Sequence, residues 1–595
     1  MSGGPRREFN GSPGADGHGY GAALTVGRLP MVADDRDPAR GRGGTDNAMV
    51  ADAVEAVVAD IAALAATLRA DGRGDLADIA DMAGLIAADP QLRAAIDDAV
   101  AAGLGAAAAV TEAIDAYAAL LADLPDPTLA ARAADVRAVG RRLLAHLRGG
   151  VDRPAETDAH IVLIGYEVAA DDVLTHGDRV TGVVSVIGGG TSHTAIVARA
   201  NGVPAVFGVA ESLLNAPDGT PIVVDGDDGV VVVDPIDGEA RAAKDAMAAR
   251  RARRAAAAAT RSIPATTRDG YHVTLLANVA TAADSSAARD ARADGVGLLR
   301  TELPFLSARA WPTYEQHIAA LTPVLAPLRD MPVTIRTLDF APDKLPPFLA
   351  GAGTQFDAIG VGLSLLLANP DAFVGQLRAI IRAGIATRLR VMVPMVATAD
   401  ELATCRKLLV DAARSENLAV PPLGAMIEQP QALAAIDSIA AEADFLSIGS
   451  NDLTATLMRR TRRDPLLGPL SAAEPVVIQS IADIVAAAAR HGRPVSICGD
   501  AAAVPSLVPV LLGTGDLALS VPPTALDEIR VLVRSLYIAD CRTAALAARS
   551  APDASRVRAI GSALGADRTH PVGPADAGST AAAPAAPTPP ATASP

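Results

Sequence analysis

The segment GGGTSHTAIVARANGVPAVFG, residues 188–208, is the stretch from which the fold and the chemistry of this chain can best be predicted. It follows the apolar run 183–187, which is typical of a buried strand, and the apolar residues after its histidine are typical of a helix. We therefore expect His193 where a strand passes through a glycine turn into a helix. Glycines let the backbone approach a ligand closely, and a helix N-terminus offers free N–H groups to an anion. We expect His193 to accept a phosphoryl group, with hydroxyl donors supplied by Thr191 and Ser192.

A second interpretation of this histidine is equally open from the segment alone. His193 would then be a capping or core histidine beside a structural turn, because short glycine motifs also occur by chance. The full segment resembles the phosphohistidine segment of the phosphoenolpyruvate-utilising enzymes, which include Enzyme I of the bacterial sugar phosphotransferase system, pyruvate phosphate dikinase and phosphoenolpyruvate synthase. The resemblance implies that His193 is the phosphoryl carrier and that its loop contains Gly188, Gly189, Thr191 and Ser192.

The composition indicates a protein of several domains and excludes some classes of partner. The chain has 595 residues, half of them apolar, and only 3% are aromatic. A chain of this length buries large cores, and such small side chains suit helical hairpins and α/β barrels. The net charge of −16 argues against nucleic acid or an acidic membrane surface as the main partner, and it favours a partner with a basic face.

The cysteines and the absence of long apolar runs bear on the compartment. Cys405, Cys498 and Cys541 form no CxxC pattern, and an odd, sparse set is typical of a reducing compartment without a disulfide framework. No apolar run has the length of a membrane span, and no signal-peptide core follows Arg6 and Arg7. We expect a cytoplasmic protein without a membrane partner.

Changes in periodicity divide the chain into expected domains. From Val50 to Leu68 apolar residues recur at steps of three and four, which predicts the first helix of a bundle. The short apolar runs on either side of that bundle predict strands of a small α/β domain into which the bundle is inserted. With the domain roles that the family resemblance implies, the expected order is a flexible N-terminus (1–10), an α/β phosphohistidine domain (11–47 and 148–236), a helical phosphocarrier-binding domain (48–147), a linker helix (237–262), a barrel (263–563) and a disordered Ala/Pro tail (564–595).

After residue 270 the chain repeats a strand followed by a helix. Alternating units with buried apolar strands predict a parallel sheet, and eight such units fit a (β/α)8 barrel. The expected fold class is α/β, with this barrel C-terminal to a small α/β domain that contains the helical bundle. The strand candidates are 273–278, 296–299, 333–338, 390–395, 424–428, 445–449, 494–498 and 516–520.

Five of these strands end in residues that suit catalysis, at the end of a barrel where chemistry takes place. Arg300 and Arg336 carry forked guanidinium groups that match phosphate oxygens. Glu428 and Asp452 are hard oxygen ligands, and two carboxylates with water and substrate oxygens suit Mg²⁺. Cys498 is placed to pass a proton. Any one of these groups alone would more often be a salt bridge or a buried hydrophobe, but five strand ends together favour a catalytic site.

The strings VGLLRTE, TIRTLD, GAMIEQP, FLSIGSNDLT and SICGD resemble, in this order, the phosphoenolpyruvate-binding barrel of Enzyme I. The helical domain also resembles that of Enzyme I, which the dikinases do not share in the same form. The resemblance implies phosphoenolpyruvate as substrate and pyruvate as product, Mg²⁺ as cofactor, a histidine-containing phosphocarrier protein as partner, and a homodimer. The residues implied are Arg300, Arg336, Lys344, Asn451 and Arg462 for substrate, Glu428 and Asp452 for the metal, and His193 and Cys498 for catalysis.

The resemblance is incomplete after the third strand. Two arginines of the family correspond here to Gly362 and Leu365. The loss of one charge-assisted contact to a trianionic substrate costs on the order of 1.5–3 kcal/mol. Two alternatives therefore stay open: a regulator that binds phosphoenolpyruvate or the phosphocarrier without turnover, and a dikinase-like enzyme that receives phosphate from a separate nucleotide-binding subunit.

Overall fold

The computed structural model describes residues 6–15, 17–26, 43–70, 80, 83–122, 132–147, 160–189, 192–305, 308–340, 346–350, 362–460 and 468–565. These residues form an eight-stranded mixed sheet with its helices and a closed eight-stranded barrel. The predicted α/β class with a C-terminal barrel is confirmed.

The mixed sheet comes from the N-terminal part of the chain. Its strands are β1 (Arg7–Asn10), β2 (Ser12–Ala15), β3 (His18–Val26), β4 (Ile161–Gly165), β5 (Val180–Ser185), β6 (Ala205–Phe207), β7 (Pro221–Asp225) and β8 (Val230–Val233). Their order is β1-β8-β7-β3-β4-β5-β6-β2. The central strands β3 to β6 run parallel, and the outer strands join them antiparallel.

Seven of the helices that accompany this sheet have both ends within the described residues. They are α1 (Gly43–Ala70), α2 (Pro90–Ala101), α3 (Ala106–Ala122), α4 (Arg132–Leu147), α5 (Ala170–His176), α6 (His193–Asn201) and α7 (Asp237–Ala259). Successive side chains of a strand point to opposite faces of a sheet. On β4, Ile161 and Leu163 accordingly lie on the face of the sheet that packs against the first four helices. Val162 and Ile164 belong to the apolar core on the opposite face of the sheet.

Two predictions about the N-terminal part are wrong in detail. Residues 7–10 were expected in a flexible extension, but they form β1, which pairs antiparallel with β8. Strand β8 consists of four valines, which favour the extended conformation, and its edge pairs with this additional strand. The predicted domain boundary between residues 47 and 48 lies inside the first helix, which begins at Gly43 and has Asp46 favourably placed in its first turn.

The barrel consists of eight parallel strands that close where β16 pairs with β9. Each overlaps a predicted strand, with ends that differ by at most two residues. They are β9 (Leu275–Val279), β10 (Gly295–Leu299), β11 (Pro332–Arg336), β12 (Arg388–Val393), β13 (Leu423–Ile427), β14 (Phe445–Gly449), β15 (Val495–Cys498) and β16 (Ala518–Val521).

Helices surround the barrel strands and bury the largest apolar core of the protein between the two layers. These helices are α8 (Ala282–Asp290), α9 (Tyr314–Leu325), α10 (Pro347–Ala350), α11 (Leu363–Ala368), α12 (Pro370–Ala383), α13 (Ala399–Glu416), α14 (Pro430–Ala434), α15 (Ile436–Glu442), α16 (Ser450–Leu457), α17 (Pro475–Arg490), α18 (Val508–Leu512), α19 (Leu526–Ser535), α20 (Ile538–Arg549) and α21 (Ala554–Gly565). Among the described residues, no helix combines the length and the apolarity that a bilayer crossing requires.

Candidate functional site

The predicted phosphohistidine loop connects β5 to α6, and His193 is the first residue of that helix. The strand, glycine turn and helix therefore follow one another as predicted. Gly188 has a φ of +106°, a conformation that favours glycine, and Gly189 is half-buried beside it. Ser192 is the N-cap of α6, since its Oγ accepts a hydrogen bond from the backbone N–H of Ala195 at 3.2 Å.

The start of α6 is tied to the loop that follows β4. The Thr194 hydroxyl donates to the carbonyl oxygen of Val168 at 2.6 Å, and the Val168 N–H donates to the Ser185 hydroxyl at 3.2 Å. Glu167 directly precedes this anchor. Burial raises the pKa of Glu167 to about 7, against the opposing effect of Arg137, whose guanidinium lies 3.4 Å away. A carboxyl group that titrates near neutral pH thus adjoins the support of the histidine helix.

Arg336, at the carboxyl end of β11, is the centre of a buried charge network in the barrel. Its guanidinium forms ion pairs with Glu302 and Asp339, each at 2.7 Å, and the residue is only 6% exposed. Burial alone would lower the pKa of Arg336, but the two carboxylates outweigh that effect and the pKa lies above its ordinary value. Its Nε is buried without a hydrogen-bond partner among the described residues, so one donor remains for a ligand.

A buried glutamine fixes the two strand ends that carry this network. Gln376 donates to the Thr301 hydroxyl at 3.2 Å and accepts from the Leu338 N–H at 3.1 Å. Thr301 in turn donates to the carbonyl oxygen of Arg336 at 2.9 Å. Gln376 was not among the predicted site residues. A single polar residue on the apolar face of α12 was the available signal, since buried polar groups need partners.

Glu302 and Asp339 were missed in the same way. Both stand within three residues of a predicted phosphate-binding arginine, in the strings RTE and RTLD. That proximity was the signal that these arginines have anionic neighbours as well as a substrate.

The two predicted metal ligands follow neighbouring strands. Glu428 follows β13 and is 1% exposed, and its Oε1 accepts from the Met395 N–H at 2.8 Å. A Cβ at Gly449 would lie 2.6 Å from Glu428 Oε2, so the Glu428 carboxylate occupies space that a side chain at position 449 would fill. Asp452 lies in the first turn of α16, directly after β14, and is 9% exposed. Two buried carboxylates from adjacent strand ends fit Mg²⁺, which takes one or two carboxylates and completes its shell with water and substrate oxygens.

Cys498 ends β15 in the interior of the barrel and is 3% exposed. Its thiol donates to the carbonyl oxygen of Ile448 at 3.4 Å, and the Ser447 hydroxyl lies 3.8 Å from its Sγ. Burial raises the pKa of Cys498, and Glu428 raises it further, although Ser447 and Arg336 act in the opposite direction. The thiol therefore keeps its proton at neutral pH. These electrostatic effects also indicate that Cys498, Glu428 and Arg336 lie close to one another.

Two other predicted site residues are exposed at the same end of the barrel. Arg300 follows β10, its backbone N–H donates to the Val279 carbonyl at 3.0 Å, and its guanidinium forms no ion pair with any described residue. Asn451 accepts from the Asp500 N–H at 2.9 Å and donates to the Asp500 carboxylate at 3.3 Å. Arg300 is thus available to an anion, and Asn451 is held in place from the end of the neighbouring strand.

Four predictions fall outside what the structure describes. Lys344, Arg462 and Thr191 lie outside the described residues, and only the backbone of His193 is described. The structure thus brings together Arg300, Arg336, Glu428 and Cys498 at the barrel end, while His193 belongs to the mixed-sheet part of the chain.

The two departures from the expected arginine pattern have a local structural basis. Gly362 has a φ of +66°, and a Cβ at that position would lie 2.7 Å from Met395 Cγ. Leu365 is 4% exposed and belongs to the apolar core of the barrel. In the described conformation neither position has room for an arginine that reaches the strand ends.

Three family models match this chain in sequence. All three describe parts of a PEP-utilising enzyme: the N-terminal part over residues 10–132, the mobile domain over 157–229 and the PEP-binding domain over 254–538.

Several curated proteins are similar over most of the chain. A phosphoenolpyruvate-protein phosphotransferase of Streptomyces coelicolor is 37% identical, with 91% of this chain and 95% of the relative aligned. One of Staphylococcus carnosus is 32% identical, with 78% and 82% aligned. A multiphosphoryl transfer protein of Rhodobacter capsulatus is 37% identical over 74% of this chain, which spans 54% of that longer protein.

Proposed function

This chain belongs to the family of PEP-utilising enzymes, and on that premise we propose that it is a phosphoenolpyruvate-protein phosphotransferase of the sugar phosphotransferase system. It transfers the phosphoryl group of phosphoenolpyruvate to His193, and from there to a histidine of a small phosphocarrier protein. The observation that carries this proposal is the cluster at the carboxyl end of the barrel, where Arg336 keeps a buried free donor beside Glu428 and the protonated thiol of Cys498.

Cationic side chains at the ends of several strands bind the substrate. The guanidinium groups of Arg300 and Arg336 donate to phosphoryl oxygens, and Arg462, Lys344 and Asn451 complete the site. The family generally uses a divalent metal, and Mg²⁺ held by Glu428 and Asp452 would neutralise charge on the phosphoryl and enolate oxygens.

The chemical step needs a nucleophile, stabilised charge and a proton. The imidazole of His193 attacks phosphorus, a P–N bond forms, and the P–O bond to the enol breaks with its electron pair left on the enolate oxygen. The arginines stabilise charge on the transferring group. The thiol of Cys498 then gives its proton to the methylene carbon of the enolate, which yields pyruvate, and the thiolate regains a proton from water.

The second transfer requires His193 to leave the barrel. One histidine meets two partners in turn, so the phosphohistidine domain (11–47 and 148–236) swings about the linker helix (237–262). Gly188, Gly189, Thr191 and Ser192 form the loop that holds the transferred phosphate. The phosphocarrier docks on the helical domain (48–147), and the enzyme acts in the cytoplasm as a homodimer joined through its barrels (263–563).

A rapid-quench measurement of pyruvate tests this function. Without a phosphocarrier, phosphoenolpyruvate and Mg²⁺ should give a burst of one pyruvate per chain, because each His193 accepts one phosphoryl group. His193→Ala should show no burst, whereas His160→Ala, which alters an exposed histidine before β4, should keep it. A full burst from His193→Ala would exclude His193 as the acceptor.

The conformation at Gly362 favours a second candidate, a regulator that binds phosphoenolpyruvate without turnover. Gly362 lies against Met395 where the resemblance places an arginine, so this position supplies no cation to the site. Addition of a phosphocarrier separates the two functions: the enzyme releases pyruvate continuously, and the regulator binds substrate and releases none.

A further inference from the structure

A cavity lies at the amino end of the barrel, opposite the end that carries Arg336 and Cys498. It has a volume of about 410 Å³ and opens between the starts of β12, β13, β14 and β15. Its walls include Phe445 and the prolines at 421, 422 and 494. Pockets of roughly 300–1,000 Å³ with apolar walls and a few polar groups are typical of small-molecule sites.

One of the polar groups that line this cavity is Arg390, in the first half of β12. Its guanidinium carbon lies 5.5 Å from the centre of the Phe445 ring, over the face of that ring. Phe445 reaches this position across β13 because Gly424 has no side chain, and a Cβ there would overlap the ring. The arginine and the aromatic ring thus form one wall, held by the glycine between them.

The charges of the lining leave Arg390 uncompensated. Arg406, the other cation, pairs with Glu442 at 2.7 Å and with Asp444 at 3.0 Å, and Asp444 also accepts from the Leu423 N–H at 2.7 Å. These acids are therefore already engaged. For the side chain of Arg390, the structure gives no hydrogen bond or ion pair with any described residue, so its guanidinium is the lining group that remains open to an anion.

We propose that this cavity binds a small organic acid with one carboxylate and an apolar body. The carboxylate pairs with the fork of the Arg390 guanidinium, and the apolar body lies against Phe445 and the prolines. One open guanidinium suits a monoanion, because the second charge of a larger anion would meet Asp444 in the same lining. The site is separate from the proposed phosphoenolpyruvate site, so the two proposals can fail independently.

Calorimetric titration of the full chain with benzoate tests the proposal. The titration is made with saturating phosphoenolpyruvate and Mg²⁺, so that anion binding at the other end of the barrel is suppressed. Benzoate should bind saturably, and Arg390→Gln should weaken its binding at least about tenfold. Arg388→Gln should leave it unchanged, because Arg388 lies on the same strand but donates to the carbonyl of Asp330 outside the cavity.

Benzamide, the neutral analogue of benzoate, gives a second readout that needs no variant. It should bind the unaltered protein at least about tenfold more weakly than benzoate. Equal binding of benzamide and benzoate, equal benzoate binding by Arg390→Gln, or no saturable benzoate binding would each overturn the proposal.

Discussion

The histidine loop and the barrel end are held in place by different kinds of interaction. At the barrel end, Arg336 lies between Glu302 and Asp339 in a network that is more than nine-tenths buried. At the start of α6, the described contacts are neutral hydrogen bonds of Ser192 and Thr194 to backbone groups.

This difference corresponds to what each region has to do. In the proposed mechanism, the barrel end keeps the Arg336 cation buried and oriented for a highly charged substrate, which needs paired charges. The described contacts of the histidine loop are made within the mixed-sheet part of the chain, so this loop can move with its own domain without separating buried charges.

The largest expected effect comes from breaking the network of the barrel end. Arg336→Met leaves Glu302 and Asp339 buried without their cation, which should lower the free energy of unfolding by about 3–5 kcal/mol and abolish the pyruvate burst. Urea denaturation and rapid quench measure the two effects.

Arg300→Met is the matched control for that experiment. Its side chain is exposed and forms no ion pair with any described residue, so it should weaken the burst while the free energy of unfolding stays within about 0.5 kcal/mol of the original. Equal stability of Arg336→Met and the unaltered protein would mean that this network does not hold the barrel end.

The next effect concerns the proton at Cys498. Cys498→Ala should slow formation of phosphoenolpyruvate from pyruvate and phosphorylated protein by about 10²–10⁴-fold, because the enolate must then form without its proton acceptor. In the forward direction, stereospecific proton uptake at the methylene carbon should become random, as seen from the configuration of the chiral methyl group in pyruvate made from stereospecifically 3-deuterated substrate in tritiated water. Stereospecific uptake in Cys498→Ala would assign the proton transfer to another group.

The smallest expected effect lies at the histidine loop and depends on pH. The pKa of Glu167 rises from an ordinary value of 4.5 to about 7 on folding, so the folded protein binds this proton more tightly than the unfolded chain. The carboxyl group therefore costs stability as the pH rises through that range. Glu167→Gln should stabilise the protein by roughly 2–3 kcal/mol at pH 8 and hardly at all near pH 4.5.

Urea denaturation at both pH values measures the Glu167 effect. Glu55→Gln, on the exposed face of α1, is the control and should change stability at neither pH. A stabilisation by Glu167→Gln that does not vary with pH would show that the carboxyl group does not titrate in this range.

The sequence predicted the barrel and the identity of its charged strand ends because both are local patterns. The strand at 445–449, for example, is an apolar run that ends in a glycine, and β14 has the same bounds. The short length of this apolar run predicts a strand. The polar residues that follow the run predict a site at the end of that strand.

The partners of the charged groups could not be predicted because they depend on how strands are juxtaposed. Glu302 reaches Arg336 from the neighbouring strand end, 34 residues away in sequence, and Gln376 reaches Thr301 across 75 residues. The wall formed by Arg390 and Phe445 has the same origin, since only the folded sheet places β12 and β14 on either side of β13.

The most direct test of the phosphoryl-transfer account is to locate the phosphate on the chain. After incubation with labelled phosphoenolpyruvate and Mg²⁺, peptide mapping under alkaline conditions should find an acid-labile phosphate on the peptide that contains His193. Phosphate on a different residue, or no phosphate on a folded protein that binds phosphoenolpyruvate, would contradict the account.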